Sequence, residues 1–554
     1  MTAESIYSKE YDVVIIGGGV TGAGTARDCA MRGLSTLLVE RNDYCTGATG
    51  RNHGLLHSGG RYAVKDSESA VECIRENIIL KRIARHCVEP TDGLFISLPG
   101  DEPEYRPAFV QSCLDEGIAA EEIDGKEALA LEPNLNPEVT GAVRVPDGSV
   151  DPFSLTVSNL IDAYRHGAVI LNYHEVQGIE VEQDRVTGVR LVNKRTGEHP
   201  TVHCRVVVNA CGIWCHRVAE MAGVNIEMYP ARGAMLIVSK RLCHAVVNRC
   251  RKPANGDILV PDDTVCVIGT TSEHIPIEKI DDMRVTREEV DLLMREGSKI
   301  APAIMTTRIL RAYAGVRPLV ASDGADGGRN ISRGIVCMDH KQRDGLDGFI
   351  TITGGKLMTY RLMAEQATDA VCAKLGNTAP CTTADLPLPG SEDDTNDRKD
   401  PSRATVTFGQ RAATHRHGNL AELINPSNDD VENALVCECS GVSVGEIKYA
   451  ASELNVRGLA SLRRRTRLGM GPCQGKICAV RAASLLGEFS GDMLAAQSDL
   501  AFFMGERWKG IRPVAWGDTL REAQISDYVY EGLCGLDTII KNSAGYVPGK
   551  EVTR

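Results

Sequence analysis

No run of ~18 consecutive apolar residues occurs in this 554-residue chain, so no helix of it is expected to span a bilayer. A secretory leader is not expected either: MTAESIYSKE is polar, and the first apolar run, Val13 to Ile16, is far too short for one. Nor is there a surplus of positive charge. Lys and Arg number 62 against 74 Asp and Glu, a formal net charge of −12, which argues against general nucleic-acid binding. These absences leave a cytosolic chain that meets small molecules or proteins, with any membrane contact made through a partner.

What is present is ordinary for a globular protein: 43% apolar and 25% charged residues, over a length that predicts several domains. Glycine is plentiful at 55 residues, so many tight turns or close backbone approaches are expected. Cysteine is plentiful too, at 19. In a reducing compartment most should be free thiols acting as small buried hydrophobes, and singly scattered ones such as Cys29, Cys73, Cys113, Cys266 and Cys337 fit that role. Only Cys437, Cys439, Cys473 and Cys478 form a spaced set.

Tyr11 to Asp43 reads as one strand–turn–helix–strand unit. A continuous apolar run, as expected of a buried parallel strand, leads into Gly17, Gly19 and Gly22 in G-x-G-x-x-G spacing. A helix over Thr21 to Met31 follows, and a second strand over Ser35 to Val39 ends at the acid Glu40. Gly17 makes the turn, Gly19 lets the backbone approach a pyrophosphate, and Gly22 permits close helix–strand packing. The helix start offers unpaired N–H groups to phosphate, and Glu40 is placed to accept from an adenosine ribose. A merely structural glycine turn leaves Glu40 unexplained.

Two later segments, Arg205 to Cys215 and Phe349 to Ala367, are a further apolar strand and a strand, Gly-Gly turn and helix. With Ala168 to Val176 they resemble the returning strands of the glutathione-reductase-like FAD fold in the glycine/D-amino-acid oxidase superfamily. GATGRNHGLLHSGGRYA (Gly47 to Ala63), VIGTTSE (Val267 to Glu273), YAGVRPLV (Tyr313 to Val320) and GGKLMTYR (Gly354 to Arg361) narrow this. Together they resemble the FAD-dependent glycerol-3-phosphate dehydrogenases over roughly residues 1–380. The resemblance implies FAD contacts at Gly17, Gly18, Gly19, Thr21, Gly22, Glu40, Arg41, Thr49, Gly54, Leu55, Val176, Ala210, Gly212, Gly354, Gly355, Lys356, Leu357 and Thr359.

Oxidising a secondary alcohol beside a phosphate needs a hydride acceptor, a base for the hydroxyl proton and cations for the phosphate. His is the usual base near neutral pH, and Arg suits bidentate phosphate contact. His57 is the candidate base, with His53 as the alternative; His57 could equally serve the flavin or backbone structurally. Arg61 and Arg317 are candidates for substrate contact, against ordinary ion pairs, with Tyr62 and Thr270 beside them. Lys356 would stabilise reduced flavin or touch substrate, against simple solvation at a helix end. Arg232 is a weaker candidate in the substrate domain.

Pro389 to Ser402 is charged and free of apolar residues, and is expected to be an exposed linker. Beyond it the cysteines are spaced C-x-C, 33 residues, C-x4-C. Four thiolates are the usual complement of a [2Fe–2S] cluster. Zinc is the rival, although its pairs are commonly C-x2–4-C. Both cysteine pairs precede helical patterns whose N-termini would face an anionic cluster. The basic run Arg463 to Arg467 would offset that charge or dock a partner, unless it is a solvated face. Trp508, Trp516, Phe502 and Phe503 mark the tail as an interface or as packing on its own core.

The cysteine pattern resembles bacterioferritin-associated-ferredoxin-like [2Fe–2S] domains, and the chain as a whole resembles the catalytic A subunits of anaerobic glycerol-3-phosphate dehydrogenases. The fold class expected is α/β: a glutathione-reductase-like FAD-binding fold (about 1–90, 145–225 and 330–380) interleaved with a β-rich substrate domain (about 90–145 and 225–330). A linker and helical connector (381–430), a small α-helical [2Fe–2S] domain (431–485) and a tail (486–554) follow. The resemblance implies oxidation of sn-glycerol 3-phosphate to dihydroxyacetone phosphate, with electrons passing to partner subunits B and C and a membrane quinone in anaerobic respiration. The chain would then lie in the cytoplasm, peripheral on the inner membrane. Rival readings are another FAD-dependent amine or 2-hydroxy-acid dehydrogenase, and a non-catalytic electron-transfer protein.

Overall fold

A computed structural model describes residues 3–320, 334–392, 407–424 and 430–536. The N-terminal unit forms as its pattern requires. The strand Tyr11–Ile16 lies at the heart of a sheet and is buried on both faces. Val13 and Ile15 pack on the helix side; Val14 and Ile16 face the opposite layer. The strand runs parallel to Thr36–Glu40 on one side and to Thr201–Asn209 on the other, with Ile16 opposite Val39 and Asn209. Val169–Asn172 extends the first side and Phe349–Gly354 the second, both in parallel, and Ile335–Asp339 closes that edge antiparallel. Helices Val20–Met31 and Tyr360–Leu375 cover one face. The carboxyl ends of the parallel strands therefore gather Gly17, Glu40, Ala210 and Gly354 at one rim, where ligands of open α/β sheets bind.

The long strand Thr201–Asn209 continues outward into an antiparallel ribbon with Arg185–Asn193 and His174–Glu182. A second, nine-stranded sheet stands over the rim. Its longest ladder joins Met228–Val238 to Ile309–Val320 antiparallel, and this ladder carries Gly233 opposite Gly315 and Ala231 opposite Arg317. The apolar segments MLIVSK, DILVPDD and TVCVIG lie in its strands Met228–Val238, Ile258–Asp262 and Val265–Gly269. Strands Gly93–Ser97, Glu121–Asp124 and Gly141–Val145 join the same sheet, so two distant stretches of chain build one roof.

The cysteine region is a small helical body. A short hairpin, Leu435–Cys437 with Val442–Ser443, and helices Val444–Glu453, Leu459–Thr466 and Cys478–Ser490 enclose a core of Val442, Ile447, Leu462 and Ala482. The basic run is neither a solvated face nor a docking surface. Arg464 and Arg465 hold Asp43 at 2.6 Å each, and Arg467 bridges Asp151 (3.0 Å) and Asp262 (2.6 Å). Burial disfavours the Asp43 carboxylate, but Arg465 and Arg464 more than offset it and hold its pKa below the usual range. The run therefore fastens the cysteine body to the sheet domain.

The helix Met493–Ile511 adds Leu500 and Phe503 to the cysteine-domain core. The chain then crosses to the roof sheet, where Val514 is fully buried and Trp516 packs under Arg287 at 4.3 Å. Thr519 Oγ1 donates to Ile309 O at 2.6 Å. Of the tail aromatics, Phe503 and Trp516 thus serve the protein's own cores, whereas Trp508 is 40% exposed. Residues 393–402 of the expected linker and the tail beyond 536 lie outside the described residues.

Candidate active site and cysteine centre

The dinucleotide turn is set by backbone geometry. Gly17 has φ +117°, and a Cβ there would lie 2.6 Å from Ala210 O. A Cβ on Gly22 would lie 1.9 Å from Gly17 O, so the helix can approach the strand this closely only through glycine. The helix Val20–Met31 begins at Gly19 without a side-chain cap on its own residue; Thr49 Oγ1 accepts from Val20 N at 3.1 Å. Glu40 ends its strand with Oε2 accepting from Gly18 N (2.7 Å) and Oε1 from Asn42 N (2.9 Å). Burial raises the pKa of this carboxyl, and the two N–H groups work against the rise.

A cavity of about 1200 Å³ opens over this turn. Gly17, Gly19, Thr21, Glu40, Arg41, Thr49, Val176, Ala210, Gly212 and Gly354 line it. Arg41 lies over the Trp214 ring at 4.6 Å. A second cavity of about 1030 Å³ adjoins it, sharing Thr21, Thr49, Pro318 and Gly354 in its wall. Leu55, His57, Tyr62, Thr270, Arg317, Gly355, Lys356 and Leu357 line this second space. The pair forms one elongated site, with a dinucleotide-binding turn at one end and a cluster of polar and cationic side chains at the other.

At that polar end, His57 is nearly buried and meets Tyr62 edge-on at 5.5 Å and His53 at 6.0 Å between ring centroids. Its backbone carbonyl accepts from Asn77 Nδ2 at 3.1 Å, and the next N–H, of Ser58, donates to the buried Asp147 at 2.6 Å. Lys356 Nζ lies 4.9 Å from the Tyr62 ring centre and 3.9 Å from Glu72 Oε2. Arg317 donates through Nη2 to Thr270 Oγ1 (2.7 Å) and to Thr271 O (3.2 Å), which fixes its guanidinium on the cavity wall.

Six expected residues are not on either wall. Gly18, Gly22 and Gly54 shape the backbone beside the site, and Thr359 caps the Lys356 turn by accepting from Lys356 N at 2.9 Å. Arg61 turns away towards Asn248 (3.5 Å) and Asp257 (3.8 Å). Arg232 is likewise engaged by Glu273 and Glu289. Sequence reasoning missed Arg51, Asn52, Trp214 and Gly233, all on the walls. Arg51 and Asn52 lie inside the polar stretch already singled out, so a charged residue among its glycines was the available signal. Gly233 carries no local signal, because its neighbour Arg317 is 84 positions away.

The four spaced cysteines converge. Cys437 contacts Cys478, Cys478 contacts Cys473, and Cys473 contacts Cys439. The neighbouring Cys437 and Cys473, with burial, push the Cys478 thiol well above the ordinary range. Its hydrogen bonds lower Cys437 to about 6 and Cys473 to about 5, and backbone N–H groups of Gly469, Gly475 and Ile477 add to the lowering. Among the described residues, no three His, Cys, Asp or Glu side chains are arranged to hold a single metal ion. Four thiols with converging backbone donors suit a two-iron cluster, whose sulfurs accept such hydrogen bonds.

Comparison with known proteins is decisive. Residues 12–361 match the FAD dependent oxidoreductase family and residues 435–488 the BFD-like [2Fe-2S] binding domain. The A subunit of anaerobic glycerol-3-phosphate dehydrogenase from Escherichia coli K12 is 59% identical over 534 residues, covering 96% of this chain and 98% of that one. The chain belongs to the family of anaerobic glycerol-3-phosphate dehydrogenase A subunits. A Haloferax volcanii member of this family, an A1 subunit, is 43% identical and covers 96% of this chain and 91% of its own. The crystal structure of a Bacillus halodurans glycerol-3-phosphate dehydrogenase complexed with FAD has a TM-score of 0.70 over 93% of this chain and 98% of its own, at 24% identity, which shows the shared fold. The chain thus joins an FAD-dependent oxidoreductase domain to a [2Fe–2S] domain. Among the described residues, no helix is long and apolar enough to cross a membrane.

Proposed function

We propose that this chain oxidises sn-glycerol 3-phosphate to dihydroxyacetone phosphate and passes the electrons to partner subunits B and C, ending in a membrane quinone. FAD bound along the joined cavities supplies the hydride acceptor, and a [2Fe–2S] cluster on Cys437, Cys439, Cys473 and Cys478 supplies a one-electron outlet. The observation that carries this reading is the convergence of His57, Tyr62, Thr270, Arg317 and Lys356 on the space adjoining the dinucleotide turn. His57 takes the hydroxyl proton on an imidazole nitrogen, and Asn77 and Asp147 hold its backbone in place. Arg317, fixed by Thr270, binds the phosphate, and Lys356 places a cation where negative charge accumulates on reduction. Arg61 serves substrate only by leaving Asp257, so its role is the more conditional of the two arginines.

The working division is an oxidoreductase domain over residues 1–380, a connector over 381–430, the cluster domain over 431–485 and a tail over 486–554. The chain is peripheral, on the cytoplasmic face of the inner membrane, and held there by its partners. Anaerobic addition of glycerol 3-phosphate to the purified, flavin-loaded chain tests the reading. Bleaching of the flavin absorbance by this substrate, and none by glycerol, 2-hydroxy acids or amino acids, is the expected result. Bleaching by a hydroxy or amino acid instead, or by none of them, would sink it.

A further inference from the structure

A third cavity, of about 630 Å³, lies between the flavin-side loop and the cysteine body. It is bounded by Asn52 and His53, which also line the substrate-side cavity, and by Arg311, Arg463, Arg467 and Met470. Arg467 has its two aspartates, but Arg311 and Arg463 do not follow suit. The Nε atoms of both are buried with no hydrogen-bond partner, and neither forms an ion pair among the described residues. Two more arginines continue the line. Arg51, on the wall of the substrate-side cavity, donates to the carbonyls of Thr46 and Ala314 and to no carboxylate among the described residues. Arg507, buried in the helix Met493–Ile511, donates to Gly469 O and Gln474 Oε1 in the cysteine loop. Burial disfavours the charge on each of the four and neighbouring arginines add to it; Glu506 offsets part of this for Arg51 and, with Tyr313, for Arg311, Cys473 and Cys478 do so for Arg507, and Arg463 meets only further arginines. Buried cations without carboxylates are costly unless some other negative charge faces them.

We propose that Arg311, Arg463 and Arg507 form an electrostatic bridge whose counter-charge is the redox centre on the four cysteines, so that these arginines raise its reduction potential and draw electrons out of the flavin cavity. The inference rests on the flavin-and-cluster reading above. A four-thiolate [2Fe–2S] centre carries net negative charge, and each electron arriving there adds one more unit while reduced flavin loses one. No bond forms or breaks. A fixed cation nearby stabilises the reduced state more than the oxidised one, and the low-dielectric setting keeps that difference from being screened. These are positioning charges; none of them touches substrate.

The test is a potentiometric titration of full-length holoprotein followed by the EPR signal of the reduced cluster. Arg463→Gln and Arg311→Gln are each expected to lower the equilibrium constant for cluster reduction about tenfold, about 59 mV for a one-electron couple. Arg463→Lys should restore most of the shift. Lys509→Gln, an exposed charge on the same helix as Arg507, should leave the midpoint in place because solvent screens it. Arg311 lies in the roof-sheet strand Ile309–Val320, outside the cysteine body, so its variant decides the matter if Arg463→Gln fails to assemble a cluster. Unchanged midpoints in variants with full iron and acid-labile sulfide overturn the bridge. So does a phosphate-dependent rise in wild-type Tm that Arg463→Gln abolishes with the midpoint unmoved, since a bound oxyanion would then be the counter-charge. Absence of flavin or cluster from the wild-type protein would instead overturn the functional reading itself.

Discussion

Replacing Gly233 by alanine asks whether Arg317 works from the position shown. An added Cβ would lie 2.8 Å from Arg317 Nη2, 3.0 Å from Nη1 and 2.8 Å from Thr271 O. The backbone has little room to yield, because Gly233 pairs with Gly315 in the middle of the longest ladder of the roof sheet. The guanidinium must therefore move, giving up its 2.7 Å bond to Thr270 Oγ1 and its aim at the cavity. A hydrogen bond from a charged group contributes ~1.5–3 kcal/mol, so losing one such contact to the substrate phosphate lowers kcat/KM roughly 10- to 150-fold. The loss should fall mainly on KM, since the phosphate is bound alike in ground and transition states. Gly233 is absent from the wall of the dinucleotide cavity, so flavin content should stay at the wild-type level. Dye-linked steady-state kinetics and flavin absorbance measure both. Wild-type kcat/KM in a fully flavinated Gly233→Ala protein would refute the placement of Arg317 and the role assigned to it.

Two further outcomes follow from buried charges. Glu76 and Arg361 form a two-point ion pair at 2.8 and 2.6 Å, with side chains 0% and 2% exposed. Glu76→Ala leaves the cation buried but still bonded to Glu365, so a destabilisation of ~3 kcal/mol is expected, at the low end for breaking such a pair; a urea midpoint shift worth under ~1 kcal/mol would contradict it. Asp499, on the helix Met493–Ile511, accepts from Leu459 N, and burial raises its pKa to about 7. The folded state then binds more protons than the unfolded state between about pH 4 and 7, so its contribution to stability is greatest at the acid end, falls as pH rises through that window and levels off above it, a span of roughly 4 kcal/mol. Asp499→Asn should flatten that part of the stability–pH curve and stabilise the protein at pH 8; an unchanged slope would show that the folded carboxyl keeps its ordinary pKa.

Much of the site was legible in the sequence where its causes are local. The Gly17–Gly22 turn follows from steric limits within a few residues, and the strand before it from an unbroken apolar run; the helix and second strand fall within one residue of their expected starts. The cysteine spacing likewise brings four thiols together, because two short loops and their helices are enough to do so. Positions whose partners lie far along the chain were not legible. Arg61 and Arg317 look alike in sequence, yet Asp257 takes the first and Thr270 seats the second on the cavity wall. The run RRRTR had three sequence readings, as an offset to cluster charge, a docking surface or a solvated face, and none of them named Asp43, Asp151 and Asp262, which reach it from three separate segments.

The chemistry available is written in the residues alone: a dinucleotide turn, a base, cations for a phosphate and four thiols at cluster spacing. Backbone sterics and the kinds of group each side chain carries belong to residues and their neighbours, so they survive without a fold. Which cations were left to act was settled by the folding of the chain. Burial makes an unpaired charge costly, and whether a given arginine meets a carboxylate depends on contacts across hundreds of residues. Arg467 found two aspartates, while Arg311 and Arg463, from two stretches of chain brought together over the same cavity, form no ion pair among the described residues.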